Sequence, residues 1–202
     1  MSKLDNMEAK KLEKISVAEY QAIEYSIQQK YEYHDGYIYA MSGGTIPHGV
    51  IGGNIHAELR SSIRNEKKEC QAFSSDIKLH IQSEHSFVYP DGMVVYGEQE
   101  LSPIDPNAIT NPIIIFEVLS KSTADYDRGD TFYKYRQLAS LREYVLIEQK
   151  KPLIEVFTRR DESDYWKINR ISGLDTILEL SSIGIKIPLV EIYYNVSFQN
   201  GN

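Results

Sequence analysis

Two acids in unlike surroundings carry the chemical information in this chain. Glu117 lies inside Ile113-Ile114-Ile115-Phe116-Glu117-Val118-Leu119, where an unpaired buried carboxylate costs several kcal/mol. It needs a partner, a proton or a metal, and a salt bridge at the strand's end or a raised pKa answers that need as well as an ion does. Asp91 follows Pro90 within the β-forming run Phe87 to Tyr96. A proline there implies an edge, a bulge or a bend able to re-aim the next side chain, although Pro-Asp is also a common turn pair. On neighbouring strands the two carboxylates could hold a hard cation such as Mg²⁺ (or Mn²⁺), leaving its other positions to water and phosphate oxygens. That chemistry is phosphodiester hydrolysis: the ion acidifies a bound water and absorbs charge developing on phosphorus, while a nearby lysine orients the attacking hydroxide.

The elements that must position these acids can be traced along the chain. Residues 1–14 are rich in lysine and glutamate and read as a flexible N-terminal segment, so the expectation is one domain over 15–202. Ser16-Val17-Ala18-Glu19 fits a capping box that starts a short helix to about Ile27. Tyr31 to Met41 alternates around Asp35-Gly36, the signature of a tight hairpin. After Gly43-Gly44 and Pro47, Val50, Ile51, Ile55, Leu59 and Ile63 recur at helical spacing to about Glu66. Phe73 to Ile81 and Phe87 to Tyr96 are expected to pair as antiparallel strands across Gln82-Ser83-Glu84-His85-Ser86. A loop with Pro103, Pro106 and Pro112 leads to the central strand Ile113 to Leu119, then a helix over Ala124 to Ala139 and a buried strand Tyr144 to Ile147, a β-α-β unit. A hairpin from Leu153 to Ile171 and a short strand at Ile185 to Val190 follow. The fold class is α/β, with a mixed central sheet flanked by helices and additional hairpins.

Pro90-Asp91 followed by Glu117 in an apolar strand, in helix-strand-strand-strand-helix-strand order, is similar to the PD-(D/E)xK nuclease superfamily. A longer set of strings is more specific: Lys30-Tyr31-Glu32-Tyr33-His34-Asp35-Gly36, Ser74-Ser75-Asp76-Ile77-Lys78, Tyr89-Pro90-Asp91 and Glu117-Val118-Leu119-Ser120-Lys121-Ser122-Thr123 occur in order. Tyr126-Asp127-Arg128-Gly129-Asp130 and Arg142-Glu143-Tyr144 complete it. These resemble the Uma-two family of restriction-endonuclease-like proteins, abundant in cyanobacteria, over roughly residues 16 to 195. The resemblance implies a restriction endonuclease-like core, a metal-dependent DNA endonuclease activity, and Asp91 and Glu117 as the metal ligands.

The superfamily pattern places its lysine two residues beyond the glutamate, on the same strand face, and here that residue is Leu119. If the turn between the two paired strands centres near Glu84, Lys78 falls about opposite Asp91 on a shared face. Lys78 is therefore the leading catalytic lysine, its alternative being a cross-strand ion pair with Asp91 or Asp76. Lys121, just past the central strand, and Lys134 are the other candidates. Related sequences often carry a lysine where this chain has Thr131, and Lys134 lies about one helical turn further on. Glu32 sits in a family-like string, and superfamily nucleases commonly add an early acid to the metal shell. His48, at a helix start where the family often has histidine, could contact phosphate or water; capping or surface exposure is its ordinary role. Asp127 and Asp130 suit a helix N-terminus.

The formal net charge of −7 runs against the basic surface usual in nucleic-acid binders, so contact with DNA has to be local or metal-assisted. A nuclease-fold protein that binds or assembles without cutting, suggested by Leu119 and Thr131, and a hydrolase of smaller phosphodiesters are the competing readings. The single Cys70 excludes an intrachain disulfide and a cysteine-rich zinc cluster. No apolar run reaches the ~18 to 20 residues of a membrane span and the start lacks a signal peptide's apolar segment, so a cytoplasmic protein is expected. Homodimerisation is the generic expectation for an enzyme that cuts two strands.

Overall fold

The computed structural model describes residues 14–27, 29–41, 43–120, 127–160 and 164–198. Helix α1 (Val17–Ile27) opens with the capping box: the Ser16 backbone N–H donates to Glu19 Oε2 at 2.7 Å and the Glu19 N–H to Ser16 Oγ at 3.2 Å. Strands β1 (Tyr31–His34) and β2 (Tyr37–Ala40) form the expected hairpin. Its turn uses positive φ at Asp35 (43°) and Gly36 (96°), the geometry that matches the right-handed twist of the strands. Thr45 caps helix α2 (Ile46–Asn65), accepting from the His48 N–H at 3.3 Å. The apolar stripe read from spacing buries Ile51, Ile55 and Leu59.

The two β-rich runs do pair antiparallel, but each breaks in the middle. The first divides into β3 (Cys70–Ser74) and β4 (Lys78–Ile81), the second into β5 (Ser86–Val88) and β6 (Gly92–Tyr96). β4 pairs with β5 and β3 with β6. Both chains of this ribbon leave one sheet and enter another, at Ser75-Asp76-Ile77 and at Tyr89-Pro90-Asp91. Pro90 has no N–H to continue a ladder, so the crossing falls on the residue that cannot pair.

One six-stranded sheet runs β2-β1-β5-β4-β8-β7. Its last members are β7 (Leu101–Ser102) and β8 (Asp105–Ile109), formed by the proline-containing segment expected as loop. The other runs β12-β11-β10-β9-β6-β3, with β9 (Ile114–Leu119), β10 (Glu143–Glu148), β11 (Leu153–Arg159) and β12 (Trp166–Ser172). β9 and β10 are parallel, as a β-α-β unit requires. The connection is shorter in helix than its apolar stripe predicts: a wide π-type turn at Asp127–Thr131 leads into α3 (Phe132–Tyr135), and 124–126 lie outside the described residues. A separate hairpin of β13 (Ile177–Leu180) and β14 (Ile185–Pro188) precedes α4 (Leu189–Ile192).

Alternation along β9 and β10 gives the layers. Ile114, Phe116, Val118, Val145 and Ile147 pack toward Ile51, Ile55 and Leu59 of α2 and the β13–β14 hairpin. Ile115, Leu119, Tyr144 and Leu146 pack the other way, against Leu79, Ile81 and Val88 of the first sheet. The outer face of that sheet carries Tyr33 and Phe87 against Tyr20 of α1. Two mixed sheets therefore share one apolar interior, with α1 and α2 outside and Phe132 and Tyr135 of α3 reaching into it, and the ribbon passes between the sheets at Asp91.

Candidate active site

Register brings the two acids together. Gly92 pairs with Phe116 across β6 and β9, so Asp91 at the bend comes beside Glu117. The Asp91 N–H donates to Glu117 Oε2 at 3.2 Å, and the Val118 N–H donates to Asp91 Oδ2 at 2.7 Å. Each carboxylate is thus held by the backbone next to the other. Tyr135 of α3 donates its hydroxyl to Glu117 Oε1 at 2.8 Å, and His48 Nε2 lies 2.9 Å from Asp91 Oδ1. Glu117 projects on the face of β9 that looks between the sheets, where a cleft of about 390 Å³ opens. Its walls include Glu32, His34, His48, Asp91, Asp127 and Lys134.

Burial raises the Glu117 pKa well above its ordinary value, and the charges of Asp91 and Asp127 raise it further; the Tyr135 hydroxyl and the Asp91 N–H offset only part. The balance of charge around Glu117 is therefore negative. His48 is shifted up, chiefly by its hydrogen bond to Asp91 acting against desolvation. Burial and the neighbouring Glu117 push Tyr135 up, which keeps it a phenol and a donor. Among the described residues, no group of three or more His, Cys, Asp or Glu side chains is arranged to hold a metal. The donor set fits a hard divalent cation nonetheless: it consists of two carboxylates in a cleft with excess negative charge, with the rest of a coordination sphere left to water and substrate. Cys70, the lone thiol, is buried away from the cleft.

The sequence model of the Uma2 family, described as "Putative restriction endonuclease", matches residues 17–189. The chain belongs to the Uma2 family. Two relatives from Synechocystis sp. (strain ATCC 27184 / PCC 6803 / Kazusa) share much of its sequence. Uncharacterized protein slr1290 is 32% identical over 185 residues, which is 92% of this chain and 94% of that protein. Uncharacterized protein sll1609 is 31% identical over 171 residues, 85% of this chain and 95% of that protein. The crystal structure of "a putative nuclease belonging to DUF820" from Anabaena variabilis ATCC 29413 superposes with a TM-score of 0.66 at 13% identity, covering 82% of this chain and 90% of that one. The α/β, restriction endonuclease-like fold is thereby shared with a solved structure.

Within this Uma2-family chain, Asp91, Glu117, Glu32, His48 and Lys134 all line the same cleft. Lys78 does not, and its expected place opposite Asp91 is corrected by the structure. β4 pairs Leu79 with Val88 and His80 with Phe87, and alternation sends Lys78 and His80 to the α1 side of the sheet. There the Lys78 amine donates to Glu24 Oε2 and Asp105 Oδ2, both at 2.7 Å. Lys121 lies outside the described residues. Leu119, where the superfamily pattern has lysine, is 1% exposed in the core between the sheets. His34 and Tyr135 join the site without having been singled out. The spacing Glu32-x-His34 on a strand, which puts both on one face, was the signal for the first. For Tyr135 the signal was absent, because an apolar stripe accounts for a buried tyrosine without its hydroxyl.

Proposed function

We propose that this protein is a divalent-cation-dependent nuclease that hydrolyses DNA phosphodiester bonds, with Asp91 and Glu117 as the protein ligands of Mg²⁺ or Mn²⁺. The observation that carries this reading is the meeting of Asp91 and Glu117 on the wall of a cleft that also carries Asp127, where burial and the neighbouring acids raise Glu117. The family description and the name of the structural neighbour support the same class of activity. When bound, the cation supplies Lewis-acid polarisation of phosphate oxygens and lowers the pKa of a water.

The chain's own groups complete the chemistry. Tyr135 and the Asp91 N–H orient the two oxygens of Glu117, while His48 and the Val118 N–H orient those of Asp91. Lys134 is the one lysine or arginine among the described residues that line the cleft. Its ammonium supplies positive charge to the phosphoryl oxygens and orients the attacking water, the task that Leu119 cannot perform. A second reading, a nuclease-fold protein that binds without cutting, is favoured by the burial of Leu119. Calorimetry with Mn²⁺, together with cleavage assays on supercoiled, linear and single-stranded DNA, separates the two. Metal-dependent cleavage that disappears in a folded Asp91→Ala variant supports the nuclease. Absence of both metal affinity and cleavage in the wild type gives the second reading.

A further inference from the structure

Opposite the acid pair, the cleft wall carries a hydrogen-bonded chain that joins the β1–β2 hairpin to α3. Strand alternation presents Glu32 and His34 of β1 to the cleft while Tyr33 turns to the core. His34 Nε2 lies 3.2 Å from Glu32 Oε2, and His34 Nδ1 lies 3.2 Å from the Lys134 amine. A lysine ammonium has only donors, so Nδ1 must receive it through its lone pair, and Nε2 must then carry the ring's hydrogen. That hydrogen points at the Glu32 carboxylate, which fixes the tautomer as second-sphere carboxylates do for metal-bound histidines. Ser86 Oγ also lies 3.2 Å from Nδ1, and its single hydrogen serves either that nitrogen or the Glu84 carbonyl at 2.9 Å. The exposed ring of Tyr39 borders His34 with centroids 5.6 Å apart.

We propose that His34 is a positioning residue: oriented by Glu32, it holds the Lys134 ammonium at one point of the cleft wall and so lets a helix-borne lysine act where strand β9 offers leucine. The proposal rests on the nuclease reading for its catalytic half. It also gives Glu32 a role that needs no contact with a metal, since the carboxylate oxygen nearest the chain is engaged by the imidazole. A lysine on a flexible stem loses catalytic effect when its amine is free to wander, because orientation is a large part of what such a group contributes.

Two readouts test the two halves in the full-length protein. The first is the acetylation rate of Lys134 by acetic anhydride, followed by peptide mass spectrometry with the other lysines as internal controls. His34→Phe removes the imidazole acceptor from the amine, and the rate at Lys134 rises several-fold while the controls do not move. His34→Asn, whose side-chain oxygen lies near the position of Nδ1, keeps the rate close to wild type. His34→Gln, which can reach Glu32 but not Lys134, behaves like His34→Phe. An unchanged Lys134 rate in His34→Phe overturns the positioning role. The second readout is single-turnover cleavage of plasmid DNA at saturating Mn²⁺. His34→Phe slows cleavage about 10- to 100-fold with DNA affinity unchanged, His34→Asn recovers most of the rate, and His34→Phe/Lys134→Met is no slower than Lys134→Met. Full-rate cleavage by His34→Phe beside a disabled Lys134→Met overturns the catalytic half. A wild type that binds Mn²⁺ and cuts nothing overturns the nuclease reading and that half with it, and the acetylation rates still decide whether His34 holds Lys134.

Discussion

Two pairs of largely buried carboxylates lie on opposite sides of the sheet that carries β4 and β5, Glu24 with Asp105 and Asp91 with Glu117, and among the described residues a lysine bridges the first pair. Glu24 and Asp105 flank Lys78, each 2.7 Å from its amine, with side-chain exposures of 13%, 6% and 8%. Tyr89 donates its hydroxyl to Glu24 at 2.6 Å, and the Lys78 amine sits 5.2 Å from the Tyr20 ring centroid. Each of these three charged groups has an oppositely charged partner inside the chain. Asp91 and Glu117 meet instead a histidine, a phenol and two backbone N–H groups, and a third acid, Asp127, adds to their repulsion. A buried acid can also be satisfied with no cation at all. Glu143, fully buried, accepts from the backbone N–H and hydroxyl of both Ser181 and Ser182. What separates the acids proposed for the site from the structural ones is whether the fold completes them: burial, Asp91 and Asp127 act against the charged form of Glu117, and a phenol and one N–H offset only part of that.

The largest expected effect comes from breaking the completed pair. Lys78→Met leaves Glu24 and Asp105 facing each other without a cation, and removing one partner of a buried ion pair costs about 3 to 5 kcal/mol. Urea unfolding should show that loss, while Mn²⁺ affinity of the remaining folded protein stays near wild type because Lys78 stands outside the cleft. A Lys78→Met variant as stable as wild type would remove the distinction between the two pairs. The next effect is on the incomplete pair. Mn²⁺ at one hundred times its Kd should stabilise the protein by about 2.7 kcal/mol, read as a rise in Tm, and Asp91→Ala should abolish the rise. A third, smaller effect concerns support of the ligand. His48→Ala should weaken Mn²⁺ binding about 10- to 100-fold by calorimetry; an unchanged Kd would leave His48 with no role in holding Asp91.

The elements with strong local signals were legible in the sequence. The capping box at Ser16, the Asp35-Gly36 turn, the α2 stripe and the parallel β9–β10 pair all stand where spacing predicts them. The carboxylates were legible for related reasons, since an acid in an apolar run and a proline in a β run each break a local rule. The error at Lys78 came from treating Phe73 to Ile81 and Phe87 to Tyr96 as one continuous ribbon. The two runs pair antiparallel as expected, but the register Leu79 to Val88 sets Lys78 level with Tyr89 instead of Asp91, and nothing local says that both runs change sheets at the level of Asp76 and Asp91, or which face β4 gives to the cleft. β7 and β8 are masked in the sequence by Pro103, just past edge strand β7, and by Pro106, which falls in the bulge between the two pairs of β8 with β7, where a missing N–H is tolerated. The meeting of Lys134 with His34, 100 residues apart, depends on how the hairpin and α3 close over the cleft, a tertiary fact with no periodic trace.

The smallest expected effect is also the one that tests the electrostatic basis of the site most directly. In the metal-free protein at neutral pH, burial and the charges of Asp91 and Asp127 act against an ionised Glu117. Glu117→Gln removes that charge and keeps its shape. The amide oxygen can accept from the Asp91 N–H, and the amide N–H₂ can donate to the Tyr135 oxygen once that hydroxyl turns its hydrogen toward water in the cleft. The variant should therefore be more stable than wild type by about 1 kcal/mol in urea without metal, and less stable than wild type once Mn²⁺ is added, because only the carboxylate binds the ion well. Such a crossing of the two stability curves has no counterpart at the Lys78 pair, where Glu24→Gln or Asp105→Asn should destabilise with or without metal. If Glu117→Gln instead loses stability in the absence of metal, the carboxylate is completed by the fold after all, and the contrast between the two pairs disappears.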